Sequence, residues 1–400
     1  MLWQPSLPER YRQLSEQQTA DAIADRKAQL GDDLVILGHH YQQDAVVRHA
    51  HFTGDSFKLS QLAAEKVQQV GARYVVFCGV HFMAESADIL TPDDTAVILP
   101  DLSAGCSMAD MAAYDDVVEA WEQISAVLAD DPDGPWRLVP ITYMNSSAAI
   151  KAFVGERHGA VCTSSNARAI LEWAFAGGAG GELAEGEKVK LLFLPDQHLG
   201  RNTAAEMGYD PATRMCLWDP QAPEGLGGLD EADLARSDVI LWKGHCSVHK
   251  LFRPEHVDQI RAAWPGVSVM VHPECDHSVV QKADLTGSTE GIIRAVEDAQ
   301  PGSRWAIGTE VHLVQRLAHE AAGRGVEVRI LSECQCLCTT MYRIDPAHLL
   351  WVLDELAEGR VVNQIRVDPE TTRWSLVALE RMLAITGRPT PAQSEQAAAR

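Results

Sequence analysis

No stretch of the chain approaches the roughly 18 consecutive apolar residues of a membrane span, so no membrane-crossing helix is expected. Positive charge is scarce. Lys and Arg number 34 against 56 Asp and Glu, a formal net charge of −22. That balance argues against nonspecific nucleic-acid binding and against anionic membrane surfaces. It leaves room for a small anionic ligand, because helix N-termini and local cations can build a positive pocket in an acidic protein. Met1–Gln18 lacks a basic stretch ahead of an apolar core, so no secretory signal is expected and the cytoplasm is the default. Sustained heptads, low-complexity runs and long Gly/Ser linkers are missing as well. The cysteines do not fall into zinc-knuckle or ferredoxin spacing.

What is present is an ordinary globular composition, 46% hydrophobic and 22% charged over 400 residues. That length suits two to four domains of about 100–150 residues each. Nine cysteines in a cytosolic chain point to thiols or metal ligands rather than disulfides. Three of them, Cys334, Cys336 and Cys338, crowd together just after the apolar run Val326–Leu331. Two other apolar runs end in the same way. Ala96–Pro100 leads to Cys106, and Val239–Trp242 leads to Cys246. One cysteine beyond each of three strands suggests a shared three-point metal site. An inert surface cluster remains the plain alternative for the C-x-C-x-C run.

The strand-like runs recur with polar ends. Leu34–Leu37 ends at His39, His40 and Tyr41; Leu138–Ile141 at Tyr143, Met144 and Asn145; Val267–Val271 at His272, Pro273 and Glu274. Helix starts follow at Ser56, Ser164 and Thr289, with Ser or Asp as N-cap in the first. Both His39 to Ser56 and His272 to Thr289 span 17 positions; His39 to Cys106 spans 67 and His272 to Cys338 spans 66. Tyr143 to Cys246 spans 103, so insertions are expected in the middle round, at Gly177–Gly186 and Gly208–Gly228. The matching intervals read as an internal triplication, against the bland reading of three generic βα runs. Open parallel sheets place ligands beyond the carboxyl ends of their strands, so all three sets of polar ends could face one centre. The expected parts are an N-terminal helical segment over 1–33, with Pro8–Leu30 as its helix, and αβα domains over 34–120, 121–262 and 263–345. Helices and a frayed tail from Arg388 onward are expected over 346–400.

These stretches together resemble the quinolinate synthase family. The matching segments include Gly54-Asp55-Ser56, Gly79-Val80-His81-Phe82-Met83-Ala84-Glu85, Pro100–Cys106, Tyr143-Met144-Asn145, Thr163–Ala167, Phe193–Gln197, Gly244–His249, His272–Cys275, Gly287-Ser288-Thr289 and Cys338–Met341. They run in family order over about residues 34–355. The resemblance implies an α/β fold of three Rossmann-like αβα domains in pseudo-threefold arrangement around a central [4Fe-4S] cluster. It implies Cys106, Cys246 and Cys338 as the metal ligands, with one iron lacking a protein ligand. It implies a transferase of NAD biosynthesis that condenses iminoaspartate with dihydroxyacetone phosphate to quinolinate, phosphate and water. A transient contact with the enzyme that supplies iminoaspartate would suit such a reaction. Cys334 and Cys336 depart from the family's usual spacing, which makes Cys336 a rival to Cys338.

An iron held by three thiolates keeps a free position and can act as a Lewis acid. Ring formation from an imine and a ketone phosphate also needs enolisation, carbonyl attack and loss of water, each served by a general acid or base. The candidates for that work are His39, Tyr41, Tyr143, His272 and Glu274. Substrate contacts are expected from His39, Ser56, Tyr143, Met144, Asn145, Ser164, His272, Pro273, Glu274 and Thr289. His249 has a weaker claim, as a neighbour of Cys246, and Glu310 is given no role. Cys78, Cys162, Cys216 and Cys275 read as small buried hydrophobes. An Fe–S hydro-lyase acting on a hydroxy acid, or a noncatalytic Fe–S redox sensor, would also use a three-cysteine site.

Overall fold

The computed structural model describes residues 4–333 and 336–387 of the chain. Three separate sheets form along it. The first holds β1 (Leu34–His39), β2 (Phe52–Gly54), β3 (Tyr74–Cys78) and β4 (Ala96–Ile98). The second holds β5 (Trp136–Tyr143), β6 (Ala160–Cys162), β7 (Lys188–Leu194), β8 (Met215–Trp218) and β9 (Val239–Trp242). The third holds β10 (Ser268–Val271), β11 (Leu285–Thr286), β12 (Arg304–Gly308) and β13 (Glu327–Ile330). A last strand, β14 (Gln364–Ile365), joins the first sheet. The orders are β2-β1-β3-β4-β14, β6-β5-β7-β9-β8 and β11-β10-β12-β13. With the extra edge strand β8 of the second sheet set aside, each unit repeats one order, second strand, first, third, last, which is the topological form of the triplication read from the spacings.

All pairings are parallel except β14 on β4. Parallel strands are covered on both faces, and β1 is buried along its full length, as its unbroken apolar run demands. The leading strands are aligned at their carboxyl ends: Gly38 pairs with Cys78, Thr142 with Leu194 and Val271 with Gly308. The polar residues that follow therefore leave each sheet at a common level.

Side chains staple the units together pairwise. Arg316 of the third unit donates to Gln42 O and Asp44 Oδ1 at 2.8 Å each, and also to His40 O of the first. Asn202 of the second donates to Pro273 O at 2.8 Å and Cys275 O at 2.9 Å in the third. Trp242 Nε1 of the second reaches Met111 O of the first at 2.7 Å.

Several expectations need correcting. Pro8–Leu30 is not one helix but two, Glu9–Arg12 and Glu16–Leu30. Ser15 interrupts them, because its hydroxyl and Gln18 form a reciprocal capping box that starts a new helix. The insertion at Gly208–Gly228 is not merely turns; it contains β8, which widens the second sheet by one edge strand. The loop over Gly177–Gly186 wraps the Arg137 guanidinium, which donates to Gly177 O, Gly181 O and Glu182 O. After the helix Pro346–Ala357, the helix Pro369–Ile385 lies on Ala148–Glu156 of the second unit. Gly155 permits that contact: a Cβ there would sit 2.0 Å from Trp374 O. The expected frayed tail from Arg388 lies outside the described residues.

Candidate functional site

The three cysteines expected as ligands line one cavity, which also takes in His39, Tyr41, Tyr143, His272 and Glu274. Each cysteine stands shortly before a short helical turn: Cys106 directly before Ser107–Asp110, Cys246 just ahead of His249–Leu251, and Cys338 just ahead of Met341–Arg343. Backbone N–H groups of these turns point at the sulfurs, from Met108 and Ala109, from His249, and from Thr340 and Met341. Such donors favour a thiolate. Burial opposes it and pushes the Cys106 thiol up to about 12, with Cys338 adding to the rise. Burial, the Glu274 charge and the other two sulfurs push Cys246 up. Three half-buried sulfurs whose thiolates would repel one another, with donors already aimed at them, are a donor set that a metal centre satisfies and bare protein does not. Cys336 is fully buried in the core of the third unit and its carbonyl accepts from Val311 N at 3.1 Å; it does not line the cavity. Cys334 lies outside the described residues. Cys78, Cys162, Cys216 and Cys275 are buried, as small core residues would be.

A chain of polar contacts crosses the cavity wall between units. His249 Nδ1 lies 2.8 Å from Glu274 Oε2, and its Nε2 lies 3.2 Å from Thr309 Oγ1. Thr309 Oγ1 meets Tyr41 OH at 2.9 Å, and Tyr41 OH meets Thr289 Oγ1 at 3.2 Å. The His249 and His272 rings stack at 4.4 Å. Burial would raise the Glu274 carboxyl, but His249, with a further hydrogen bond from Tyr143, outweighs it and holds the group below the usual carboxylate range. Burial, reinforced by the Glu274 charge, pushes the Tyr143 phenol well above its ordinary value. An ionised carboxylate therefore faces a protonated phenol. Burial lowers His39 and His272 to about 3, so both rings are neutral. His39 Nδ1 accepts from Tyr41 N at 3.1 Å and His272 Nδ1 accepts from Glu274 N at 3.3 Å. A neutral ring whose Nδ1 accepts carries its proton on Nε2, so each has one N–H left to donate.

The helix starts settle which of the candidate residues caps. Asp55, not Ser56, caps the helix Ser56–Val70 by accepting from Lys58 N. Ser288, not Thr289, caps Thr289–Glu297 by accepting from Gly291 N. Ser164 sits in the turn ahead of Ala167–Phe175, where Asn166 Oδ1 accepts from Thr163 N at 2.7 Å. In the first and third the neighbouring residue takes the capping duty, Asn166 makes no side-chain cap in the second, and Ser56, Ser164 and Thr289 all line the cavity.

Met144 and Asn145 also line it; Pro273 does not, and contributes its carbonyl to Asn202. His249 deserved more weight than its sequence position gave it, since only the fold brings it onto Glu274. Thr309 is invisible to sequence reasoning, because threonine at a strand end carries no signal of its own. Glu310 caps Val311–Ala322 through His312 N and Leu313 N, with Oε1 at 3.5 Å from Cys338 N. Asp196 is fully buried with Oδ2 unpartnered, and burial with the Glu274 charge pushes its carboxyl well up. Donor atoms of Cys246, His249 and Glu274 lie within 4.8 Å of one another, a spacing that could hold a metal ion. A wider depression of about 1160 Å³ adjoins the cavity, with Asp55 and Phe57 lining both. Among the described residues no helix is long and apolar enough to cross a membrane.

The sequence model of the quinolinate synthetase A protein family matches residues 21–384. A protein of Acidobacterium capsulatum named quinolinate synthase is 55% identical over 377 residues, covering 94% of this chain and 95% of the relative. One of Rhodopirellula baltica with the same name is 50% identical over 385 residues, covering 94% and 93%. Another, of Corynebacterium glutamicum, is 48% identical over 396 residues, covering 98% and 95%. With a family match over most of its length and relatives near half-identical across theirs, the chain belongs to the quinolinate synthetase A family.

Proposed function

We infer that the chain condenses iminoaspartate with dihydroxyacetone phosphate to quinolinate, phosphate and water, a step of NAD biosynthesis. The observation that carries this reading is the meeting of one cysteine and one acid–base group from each of three units in a single buried cavity. The units correspond to αβα domains over 34–120, 121–262 and 263–345, flanked by 1–33 and 346–400. Cys106, Cys246 and Cys338 would hold a [4Fe-4S] cluster. When bound, the cluster supplies an iron without a protein ligand, a Lewis acid that polarises an oxygen so that water can leave.

The residues of the chain do the rest. Glu274 is the ionised base, buried and held by His249, suited to removing a proton in the enolisation. Tyr143 keeps its proton and faces that carboxylate, so it suits returning a proton to a departing oxygen. His39 and His272 donate Nε2–H to substrate oxygens without adding charge. Tyr41 is fixed by Thr289 and Thr309 and orients its hydroxyl toward the same space. Ser56, Ser164 and Thr289, with Met144 and Asn145, form the walls that receive two carboxylates and one phosphate. The reducing cytoplasm suits a site built on thiolates, and transient contact with the enzyme making the hydrolysable imine would limit its loss.

Anaerobic protein incubated with iminoaspartate and dihydroxyacetone phosphate should yield quinolinate. Iron-replete protein that makes none, or that instead dehydrates a hydroxy acid, would overturn the reading.

A further inference from the structure

Lys151 is a buried cation that none of this chemistry uses. Its side chain is fully buried, in the second turn of the helix Ala148–Glu156. Both facts count against it. An ammonium removed from water costs several kcal/mol unless paired, and a cation near a helix N-terminus opposes the macrodipole. Among the described residues its Nζ makes no ion pair and donates one hydrogen bond, to Ser146 O. Glu85, the nearest acidic influence, is engaged elsewhere: Oε2 accepts from Ala148 N at 2.9 Å and Oε1 lies 3.6 Å from His81 Nδ1. The other deeply buried lysine shows what a satisfied one looks like. Lys190 donates to Ala235 O and Ser237 O at 2.7 Å each and sits 3.9 Å from the Trp136 ring centroid.

What Lys151 faces is the site. Its Nζ lies 5.4 Å from the centroid of Phe82, and Phe82 lines the cavity beside Cys106. The carbonyl it holds belongs to the turn after Tyr143, where Ser146 Oγ donates to Tyr143 O at 2.8 Å. The Cys106 sulfur is close enough that a thiolate there favours the ammonium. We propose that Lys151 is a positioning residue for this site, pinning the turn that carries Tyr143 and Asn145 and setting a positive charge behind Phe82 against the thiolate end of the cavity. The proposal rests on the reading that Cys106, Cys246 and Cys338 carry a cluster, whose negative charge is the counter-ion Lys151 otherwise lacks. A positive charge nearby stabilises the reduced cluster more than the oxidised one and so raises its potential.

Three variants separate the parts. Lys151→Arg keeps charge and donor, Lys151→Gln keeps a donor alone, and Lys151→Met keeps neither. Anaerobically purified proteins are compared by iron content, by EPR-monitored reductive titration, by kcat and KM, and by melting temperature. Lys151→Arg should match wild type in potential. Lys151→Gln and Lys151→Met should titrate at more negative potential or lose iron, with kcat down at least tenfold and KM changed less. Melted after removal of the cluster, both should hold or exceed the wild-type melting temperature, because there the buried charge is unpaired. Equal potentials in wild type and Lys151→Gln, or iron loss in Lys151→Arg to the same degree as in Lys151→Met, would overturn the proposal. Wild-type protein without a cluster would instead overturn the reading beneath it.

Discussion

His249 and Glu274 come from different repeats of the chain, yet Nδ1 of one lies 2.8 Å from Oε2 of the other, both almost wholly buried. A buried carboxylate is tolerated only with partners, and truncating one partner of such a pair costs about 3–5 kcal/mol. His249→Leu should therefore destabilise the protein severely, by several degrees in Tm. Glu274→Gln keeps shape and hydrogen-bonding capacity, removes the charge, and should fold. Thermal melts of the two variants side by side test the asymmetry; equal losses would show that the pair carries no ionic character.

Turnover should separate from binding at Tyr143 and Glu274. Tyr143→Phe and Glu274→Gln are expected to retain iron and quinolinate affinity while kcat falls by roughly 10²–10⁴, the range for general acid–base groups. Near wild-type kcat in both would leave Tyr41, His39 and His272 as the proton carriers.

The hydroxyls and the caps should respond oppositely. Asp55→Ala and Ser288→Ala remove N-caps and should each cost about 1 kcal/mol of stability. Ser56→Ala, Ser164→Ala and Thr289→Ala remove no cap. If each hydroxyl binds a substrate anion, a loss of about 1.5–3 kcal/mol predicts ligand affinity roughly ten- to a hundredfold weaker, with Tm nearly unchanged. Quinolinate titrations beside melting curves distinguish the two groups, and unchanged affinity in all three hydroxyl variants would remove them from the site.

Ser in place of Cys106, Cys246 or Cys338 should abolish both iron retention and activity in anaerobic preparations. Cys336→Ser should keep the iron, because its side chain belongs to the core of the third unit. An iron-replete, active Cys338→Ser protein would transfer the third ligand elsewhere.

Acid should act through His39. Its pKa falls from 6.5 to about 3 on burial, so the folded state favours the neutral ring. The stabilisation this gives is present above about 6.5 and is lost as pH falls toward 3, at up to about 1.4 kcal/mol per pH unit. His39→Asn keeps an acceptor for Tyr41 N and cannot be protonated in that range. Its stability should depend less steeply on pH between 6.5 and 4 than wild type, measured by denaturation at each pH. Parallel curves would mean that His39 is not kept neutral by the fold.

The strands were legible because parallel strands buried on both faces leave unbroken apolar runs, as Val239–Trp242 does at its true limits. The triplication was legible because equal topology keeps equal intervals between His39 and Ser56 and between His272 and Thr289. Two-residue strands such as β11 and β14 were not, since so few residues carry no period. Distinguishing Asp55 from Ser56 as the cap was beyond sequence, because both residue types cap well and only backbone geometry chooses. The value of His249 depended on a contact between repeats, which no local pattern encodes. For Cys338 against Cys336, the spacing left both open, and burial in the third core separates them.

The antiparallel strand β14 has a consequence for how the molecule is made. Asn363 Nδ2 donates to Pro100 O across 263 residues of chain, and beside it β14 covers the open edge of β4. During vectorial synthesis that edge stays bare until nearly everything else has left the ribosome. A bare parallel edge is a template for pairing with a neighbouring chain. Because Cys106 follows β4, the first arm of the proposed metal site is also the one whose scaffold is completed last.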